Sequence, residues 1–284
     1  MAKQRGNIAW NPERRGKLPG TSGGDSINYA IPAPTRGIDM LLAKYRGEPY
    51  ESEVKFTADS QEGRVPVLTK PLSETQIAFV TDGGLVPKGN PDDLPPVNVD
   101  KFCVYPFSGA EKLKPECCEV SHQGYDNWYV LEDPNRLIPL DAARQAVAEG
   151  RIAKVCDFFY TTTGVMTSVE NSQMLGRRIA ASIRESGVDA VILTSTCGTS
   201  TRCGAYIACE IERTGIPVVH VTNLAHISEW VGTSRILCGN NVCHVFGNPE
   251  LMPEQEREYR QRLFDKALAL LEQTPENNSC LIVH

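Results

Sequence analysis

The chain has 284 residues, of which 41% are hydrophobic and 23% charged, a composition that suits a globular protein with a sizeable core and excludes a disordered chain. Its formal net charge of -6 at pH 7 disfavours a nucleic-acid-binding surface, which requires clustered Lys and Arg. No run of about eighteen apolar residues and no hydrophobic signal region occurs, so we expect a cytoplasmic protein with no membrane span.

The ten cysteines are expected to be reduced thiols, because a large chain with a plentiful core does not need disulfides. Several lie inside apolar segments and suit small core positions. No compact CxxC pair occurs, and we therefore expect no metal site.

The N-terminal residues 1–35 are rich in Gly, Pro, Ser and charged residues, which predicts an extended arm. Residues 36–284 are expected to form one α/β domain. Its first helix is predicted around IDMLLAKY, where apolar residues recur at helical spacing before Gly47.

The apolar stretch Gln76–Thr81 predicts a strand, and the turn-rich DGGLVPKGNPDDLPP follows at its carboxyl end. Glycines there permit close backbone approach, so we expect Asp82 and Gly83 to face a ligand. Further on, His122 lies in an aperiodic region. It is a candidate acid or base, because an imidazole titrates near neutral pH.

The segment PLDAARQAVAEG predicts a helix, and KVCDFFY then predicts a buried strand that ends in TTTG. A further helix, SVENSQMLGRRIAASIRESG, follows. Hydroxyl groups and a glycine between a strand and a helix start suit the binding of a carboxylate or another anion, although an ordinary threonine-rich cap explains them equally well. The residues concerned are Thr161, Thr162, Thr163 and Gly164.

Strand and helix continue to alternate to the end of the chain, through the strands VDAVILT, IPVVHVT and RILCG and a long amphipathic helix from PEQEREY. Strands made of Val, Ile and Leu are typical of a mostly parallel sheet with helices on both faces. GNPD and GNPE, which each follow an apolar strand, suggest two similar lobes. Ligands bind at the carboxyl edge of such sheets, where DGGLVPKGNP, TTTG and TSTCGTSTRCG are expected to converge.

Cys197 lies between a buried strand and a helix start, where the positive helix end favours a thiolate. A thiolate in that position is a competent nucleophile. Neighbouring hydroxyl and glycine residues are candidates for binding a small polar substrate or stabilising negative charge. They are Thr196, Gly198, Thr199 and Ser200.

The motif TSTCGTSTRCG resembles that of the selenoprotein component B of glycine, sarcosine and betaine reductases, and more distantly that of the D-proline reductase selenoprotein subunit. TDGGLVPKGNPD, HQGYDNWYVLEDPNRLIPLD, DFFYTTTG, GVDAVILTSTCGT, EIERTGIPVVH and FGNPEL resemble family segments in the same order, over roughly residues 76–252. In that family, selenocysteine occupies the position of Cys197.

The resemblance implies a subunit of an oligomeric complex that cleaves a C–N bond of a small amino-acid-like substrate by reduction. Cys197 would then be the nucleophile, a pyruvoyl group on a partner proprotein subunit would activate the substrate, and a dithiol protein would restore the thiol. The family has a cysteine three positions later, where this chain has Ser200. Cys203 is the remaining candidate for a second redox thiol, within the following helix.

Two alternatives stay open at this stage. A cofactor-independent racemase uses two thiols, one to remove the α-proton and one to return it, and would require Cys103, Cys117 or Cys118 to face Cys197. The chain could instead be a non-catalytic accessory subunit that binds a small ligand.

Overall fold

The computed structural model of the chain describes residues 30–50, 65–275 and 280–284. The chain divides into two compact units, residues 1–57 and residues 58–284. In the first, helix α1 spans Ala33–Arg46 and ends at Gly47 with a φ of 69°. The predicted helix is therefore confirmed, and it begins within the span expected to be an extended arm. Residues 1–29 of that arm lie outside the described residues.

The second unit contains the strands and the remaining helices. Its strands are β1 Gln76–Thr81, β2 Leu85–Pro87, β3 Cys103–Pro106, β4 Cys118–Val120, β5 Lys154–Thr161, β6 Ala190–Thr194, β7 Val218–Thr222, β8 Arg235–Cys238 and β9 Leu281–Val283. Its helices are α2 Trp128–Glu132, α3 Leu140–Ala148, α4 Val169–Glu185, α5 Gly198–Glu212, α6 Ala225–Val231 and α7 Pro253–Glu272.

Seven of the described strands form one sheet in the order β3-β5-β1-β6-β7-β8-β9. All neighbours are parallel except β3, which runs antiparallel to β5. The expectation of a mostly parallel α/β sheet is confirmed, whereas the two similar lobes are not. No helix in the described residues is both long and apolar enough to span a membrane.

Helices cover the sheet in two groups. Helix α5 packs between α4 and α6, while α3 packs against α7. The central strands β6 and β7 are buried along their whole length, which explains why they contain almost only apolar side chains. The same covering leaves the carboxyl ends of the strands as the edge at which polar loops can meet.

The register of the central strands aligns their carboxyl ends. Thr81 pairs with Thr161 on one side and with Thr194 on the other. Strand β1 lies between β5 and β6, so the chain crosses over it between those two strands. The loops that follow the three strands consequently start at the same height.

Candidate functional site

The three loops meet at the carboxyl edge, as the sequence predicts. The Asp82 backbone N–H donates to the Thr194 carbonyl at 3.2 Å, and the Gly164 N–H donates to the Asp82 carbonyl at 2.9 Å. The antiparallel pair β2 and β4 adds a fourth segment, because Ser121 N–H donates to the Gly84 carbonyl at 2.8 Å. This bond brings the loop that carries His122 to the same edge.

Cys197 is the N-cap residue of α5, and its thiol is half-buried. Sγ lies 3.3 Å from the Ser200 hydroxyl and 3.8 Å from the Thr199 hydroxyl. The Thr199 oxygen also accepts the Met166 backbone N–H at 3.2 Å, which leaves its hydrogen available for the sulfur. Two O–H donors and the positive end of a helix thus surround the sulfur, an arrangement that stabilises negative charge.

His122 is buried, and its ring bonds at both nitrogens. Nε2 lies 2.7 Å from the Ser200 hydroxyl, and Nδ1 accepts the Gly124 backbone N–H at 3.0 Å. Burial lowers the pKa of His122 from 6.5 to about 4, so the ring is neutral at physiological pH. A neutral ring that accepts at Nδ1 carries its hydrogen on Nε2.

His122 therefore donates a hydrogen bond to Ser200, and Ser200 donates one to Cys197. Nε2–H donates to the Ser200 oxygen, and the Ser200 hydrogen then points to the sulfur. In this arrangement His122 supports the sulfur as a donor, through Ser200, and does not present the free acceptor that a general base requires.

Gly124 and Tyr125 complete this part of the site, and sequence reasoning did not single them out. A Cβ atom at Gly124 would lie 2.8 Å from Cys197 Sγ and 2.8 Å from His122 Cε1, so only glycine permits this approach. The Tyr125 hydroxyl donates to the Gly83 carbonyl at 2.9 Å, and its ring centre lies 4.8 Å from that of His122. The available signal was the His-x-Gly-Tyr order in SHQGYDN.

The threonines of TTTG are buried, and two of their hydroxyls are already engaged. Thr162 donates to the Lys101 carbonyl and Thr163 to the Ser121 carbonyl, each at 2.8 Å. Helix α4 begins only at Val169, with Ser168 as its cap. Thr162 and Thr163 therefore brace neighbouring loops and offer no free hydroxyl hydrogen to an anion. Thr161 is also buried, and its hydroxyl has no partner within the described structure.

Cys203 lies in the core and not at the edge. Its side chain is fully buried, and burial raises the pKa of its thiol to about 12. Across the described residues, the only side chains hydrogen-bonded to Cys197 Sγ are Thr199 and Ser200, and neither is a thiol. None of the ten cysteines, all of which the structure describes, forms a disulfide.

Thr196 and Gly198 flank the thiol differently. Thr196 is buried, and its hydroxyl lacks a partner in the described part of the chain. A Cβ at Gly198 would contact Ile227 at 3.6 Å and Leu224 at 3.9 Å. Both of these residues line an open cleft of about 440 Å³ between the loops that follow β7 and β8. Cys197 and Gly198 are not among the residues that line this cleft.

Asp82 is completely buried beneath this edge. Its carboxyl group is hydrogen-bonded to the hydroxyl of Ser195, which also lies 2.7 Å from Nε2 of His220. Burial raises the pKa of Asp82 well above its usual range. Sequence reasoning missed His220, although a histidine within the apolar strand VVHVT was a signal. Gly83 lies beside Asp82, where a Cβ would come within 3.2 Å of Thr196.

The described residues contain no cluster of three or more His, Cys, Asp or Glu side chains suited to a metal ion.

Comparison with known proteins adds a family context to this geometry. The profile of the glycine/sarcosine/betaine reductase selenoprotein B family matches residues 24–196. The chain is 45% identical over 236 residues to the glycine reductase complex component B subunit gamma of Carboxydothermus hydrogenoformans, covering 83% of this chain and 54% of that protein. It is 38% identical over 237 residues to the sarcosine reductase complex component B subunit beta of Peptoclostridium acidaminophilum, covering 84% and 54%.

A more distant similarity connects the chain to the D-proline reductase subunit gamma of Acetoanaerobium sticklandii, at 35% identity over 117 residues, or 41% of this chain and 48% of that subunit. The chain spans about half the length of the curated relatives it matches. No solved structure is significantly similar to it.

Proposed function

The chain belongs to the glycine/sarcosine/betaine reductase selenoprotein B family, and from that membership we propose that it is the thiol-bearing subunit of a reductase complex. The proposed reaction is reductive cleavage of a C–N bond in a small amino-acid-like substrate. Cys197 is the proposed nucleophile, in the position where the family has selenocysteine. The observation that carries the proposal is the pair of hydroxyl donors and the helix start around Cys197 Sγ.

The proposed chemistry begins at the sulfur. The Cys197 thiolate attacks the substrate carbon next to nitrogen, an S–C bond forms, and the C–N bond breaks. The amine leaves with the electron pair of that bond and takes up a proton. Ser200 and Thr199 hold the negative sulfur before attack, and the neutral His122 fixes the orientation of the Ser200 hydroxyl.

We propose that partner proteins supply the remaining chemistry. A pyruvoyl carbonyl on a proprotein subunit would supply the electron-withdrawing centre for the substrate's amino group, and a dithiol protein would supply the two electrons that release the product and restore Cys197. The half-buried thiol supports a substrate presented by another subunit. We assign no residue of this chain to the pyruvoyl group itself.

The second redox thiol must also come from outside this loop under the proposal. Ser200 stands three residues after Cys197, beside the thiol, and its hydroxyl cannot form a disulfide. Cys203 is fully buried, and its thiol is held in the neutral form. An external dithiol therefore resolves the sulfur in our proposal.

A reconstitution experiment tests this function. The chain is combined with a pyruvoyl-type subunit, a dithiol reductant and glycine, sarcosine or betaine, and amine release is measured; with proline, the ring-opened amino acid is measured instead. We expect release from at least one substrate, together with a substrate-derived mass on Cys197 when the reductant is omitted.

The matched variants are Cys197→Ala and Cys117→Ser, since Cys117 is an exposed cysteine outside the site. Amine release should disappear in the first and persist in the second. Unchanged turnover of Cys197→Ala would rule out this nucleophile.

A further inference from the structure

A second series of hydrogen-bonded side chains lies beneath the loop Ser195–Cys197 and takes no part in the proposed reaction. It joins Asp82 to Ser195, Ser195 to His220 Nε2 at 2.7 Å, His220 Nδ1 to Ser228 at 2.6 Å, and Ser228 to Thr233 at 2.6 Å. All five side chains are buried. They connect the ends of β1 and β6 and the middle of β7 to α6 and the residues that follow it.

The number of available hydrogens decides which group donates and which accepts in each of these hydrogen bonds. The Thr233 hydroxyl lies 3.0 Å from the Ser228 carbonyl, which can only accept. If Thr233 donates its single hydrogen there, the Ser228 hydroxyl must donate to Thr233. His220 must then donate from Nδ1 to the Ser228 oxygen.

The same count of hydrogens applies to the bonds of His220 with Ser195 and of Ser195 with the Asp82 carboxyl group. A neutral His220 that carries its hydrogen on Nδ1 accepts at Nε2 from Ser195. The Ser195 hydrogen is thereby used, so the bond between Ser195 and Asp82 requires a hydrogen from the carboxyl group. If Asp82 is a carboxylate instead, Ser195 donates to it and His220 carries a hydrogen on Nε2. That arrangement places one unpaired charge, or two charges if His220 is an imidazolium, in a fully buried site, at a high desolvation cost.

The surroundings of Asp82 favour the uncharged arrangement. Its second oxygen, Oδ1, has no hydrogen-bond partner within the described residues, which costs far more for a carboxylate than for a neutral acid. Burial raises the pKa of Asp82 well above its usual range, although hydrogen bonds from Ser195 and from the backbone of Thr196 and Gly204 act in the opposite direction.

The ionisable groups on which Asp82 acts, Tyr125 and Cys203, have pKa values raised mainly by burial and are neutral. Burial likewise lowers the pKa of His220 to about 3. No Lys or Arg in the described parts of the chain forms an ion pair with Asp82.

We infer that Asp82 is a neutral carboxylic acid in the folded protein, that it donates a hydrogen bond to Ser195, and that it is a positioning residue for the loop Ser195–Cys197. Ser195 is two residues before the thiol, and its backbone N–H donates to the Val221 carbonyl at 3.0 Å. The hydrogen bond with Asp82 therefore holds the Ser195 side chain, while the sheet holds the Ser195 backbone. The inference concerns the site of the proposed function, but its protonation part does not depend on the reaction.

Gly204 supplies independent support for the close packing of this bond. A Cβ at that position would overlap both the Ser195 hydroxyl and the Asp82 carboxyl group. Helix α5 thus lies directly against the bond, which leaves no room for a water molecule on that side.

Infrared difference spectroscopy on the full chain, with isotopically labelled aspartate at neutral pH, tests the protonation state. We expect a carbonyl band of a protonated carboxylic acid that shifts with the label in the wild-type protein. The band should be lost in Asp82→Asn and kept in Asp157→Asn, which removes an exposed carboxylate. Absence of the band from the wild-type protein would overturn the inference, whether or not the variants fold.

Nitrogen NMR of labelled histidine provides a second measurement. We expect His220 to carry its hydrogen on Nδ1 alone. A hydrogen on Nε2, or on both nitrogens, would contradict the assignment of donors and acceptors in these hydrogen bonds, and with it the neutral state of Asp82.

Alkylation of Cys197 tests the positioning role without substrate or partner. An asparagine amide can donate to Ser195 as the acid does, so Asp82→Asn should leave the alkylation rate within about twofold of wild type. Asp82→Leu cannot donate and should change the rate severalfold. Equal effects of the two variants would refute the positioning role, and failure of the reductase assay would leave all three measurements unaffected.

Discussion

His122 and Ser200 are 78 residues apart in the chain, and their side chains meet at 2.7 Å beside the thiol. The Gly124 N–H occupies Nδ1 of the same ring, so His122 donates to Ser200 and not the reverse. Ser200 in turn has one hydrogen to give, and Cys197 Sγ is 3.3 Å away. Ser200 thus donates a hydrogen bond to a negatively charged Cys197 sulfur, and neither Ser200 nor the neutral His122 takes up the thiol proton.

Ser200→Ala should slow the alkylation of Cys197 by iodoacetamide at neutral pH. A hydrogen bond to a charged group contributes about 1.5 kcal/mol, so its loss makes the negatively charged sulfur less stable. A less stabilised sulfur is also a better nucleophile, which offsets part of this effect, and we expect the rate to fall about threefold. Thr199→Val should have a smaller effect, because that hydroxyl lies 3.8 Å from the sulfur. An unchanged rate in Ser200→Ala would refute the donor role.

The stability of the protein should fall as the pH drops from about 6.5 towards 4. Burial lowers the pKa of His122 from 6.5 to about 4, so in this window the unfolded chain binds a proton that the folded protein does not. The difference costs about 2 kcal/mol at about pH 5 for this residue. Urea unfolding at several pH values should show a shallower pH dependence for His122→Gln. His226→Gln, which changes an exposed ring, should match the wild type.

Gly124→Ala should disturb the thiol without unfolding the sheet. The new methyl group would come within 2.8 Å of both Cys197 Sγ and His122 Cε1 and within 2.9 Å of Val165. Overpacking of this kind costs about 1–3 kcal/mol. We expect a lower urea midpoint and a changed Cys197 alkylation rate. Gly37→Ala, where nothing lies within 4 Å of the added atom, is the control, and it should neither lower the urea midpoint nor change the alkylation rate.

Ser200→Cys should create a disulfide with Cys197. The two side chains are already in contact, and a Cys-x-x-Cys pair at a helix start is a known redox arrangement. Mild oxidation should remove two hydrogens from the variant and protect Cys197 from alkylation, with reversal by a dithiol. The wild-type protein, in which Cys203 is buried away from the loop, should show no such protection. Failure to cross-link in the variant would mean that residue 200 does not face the sulfur.

The sequence by itself determined the strands β1 and β5 to β8, the helices other than α2, and the edge at which the polar loops meet, whereas β2, β3, β4, β9 and α2 were not predicted. The runs QIAFVT and VDAVILT are apolar because helices cover both faces of their strands, and that local pattern is readable without a structure. The place of Cys197 between a strand and a helix start was readable for the same reason.

Only the tertiary structure decided what the polar side chains do. Whether His122 is solvated or buried, which nitrogen carries its hydrogen and which hydroxyl it contacts depend on atoms far away in the chain. The same holds for Asp82, which was expected to face a ligand and is fully buried, and for Cys203, which lies in the core. Hydrogen-bond direction and desolvation arise from the complete set of neighbours, and these neighbours come together only when the sheet has formed.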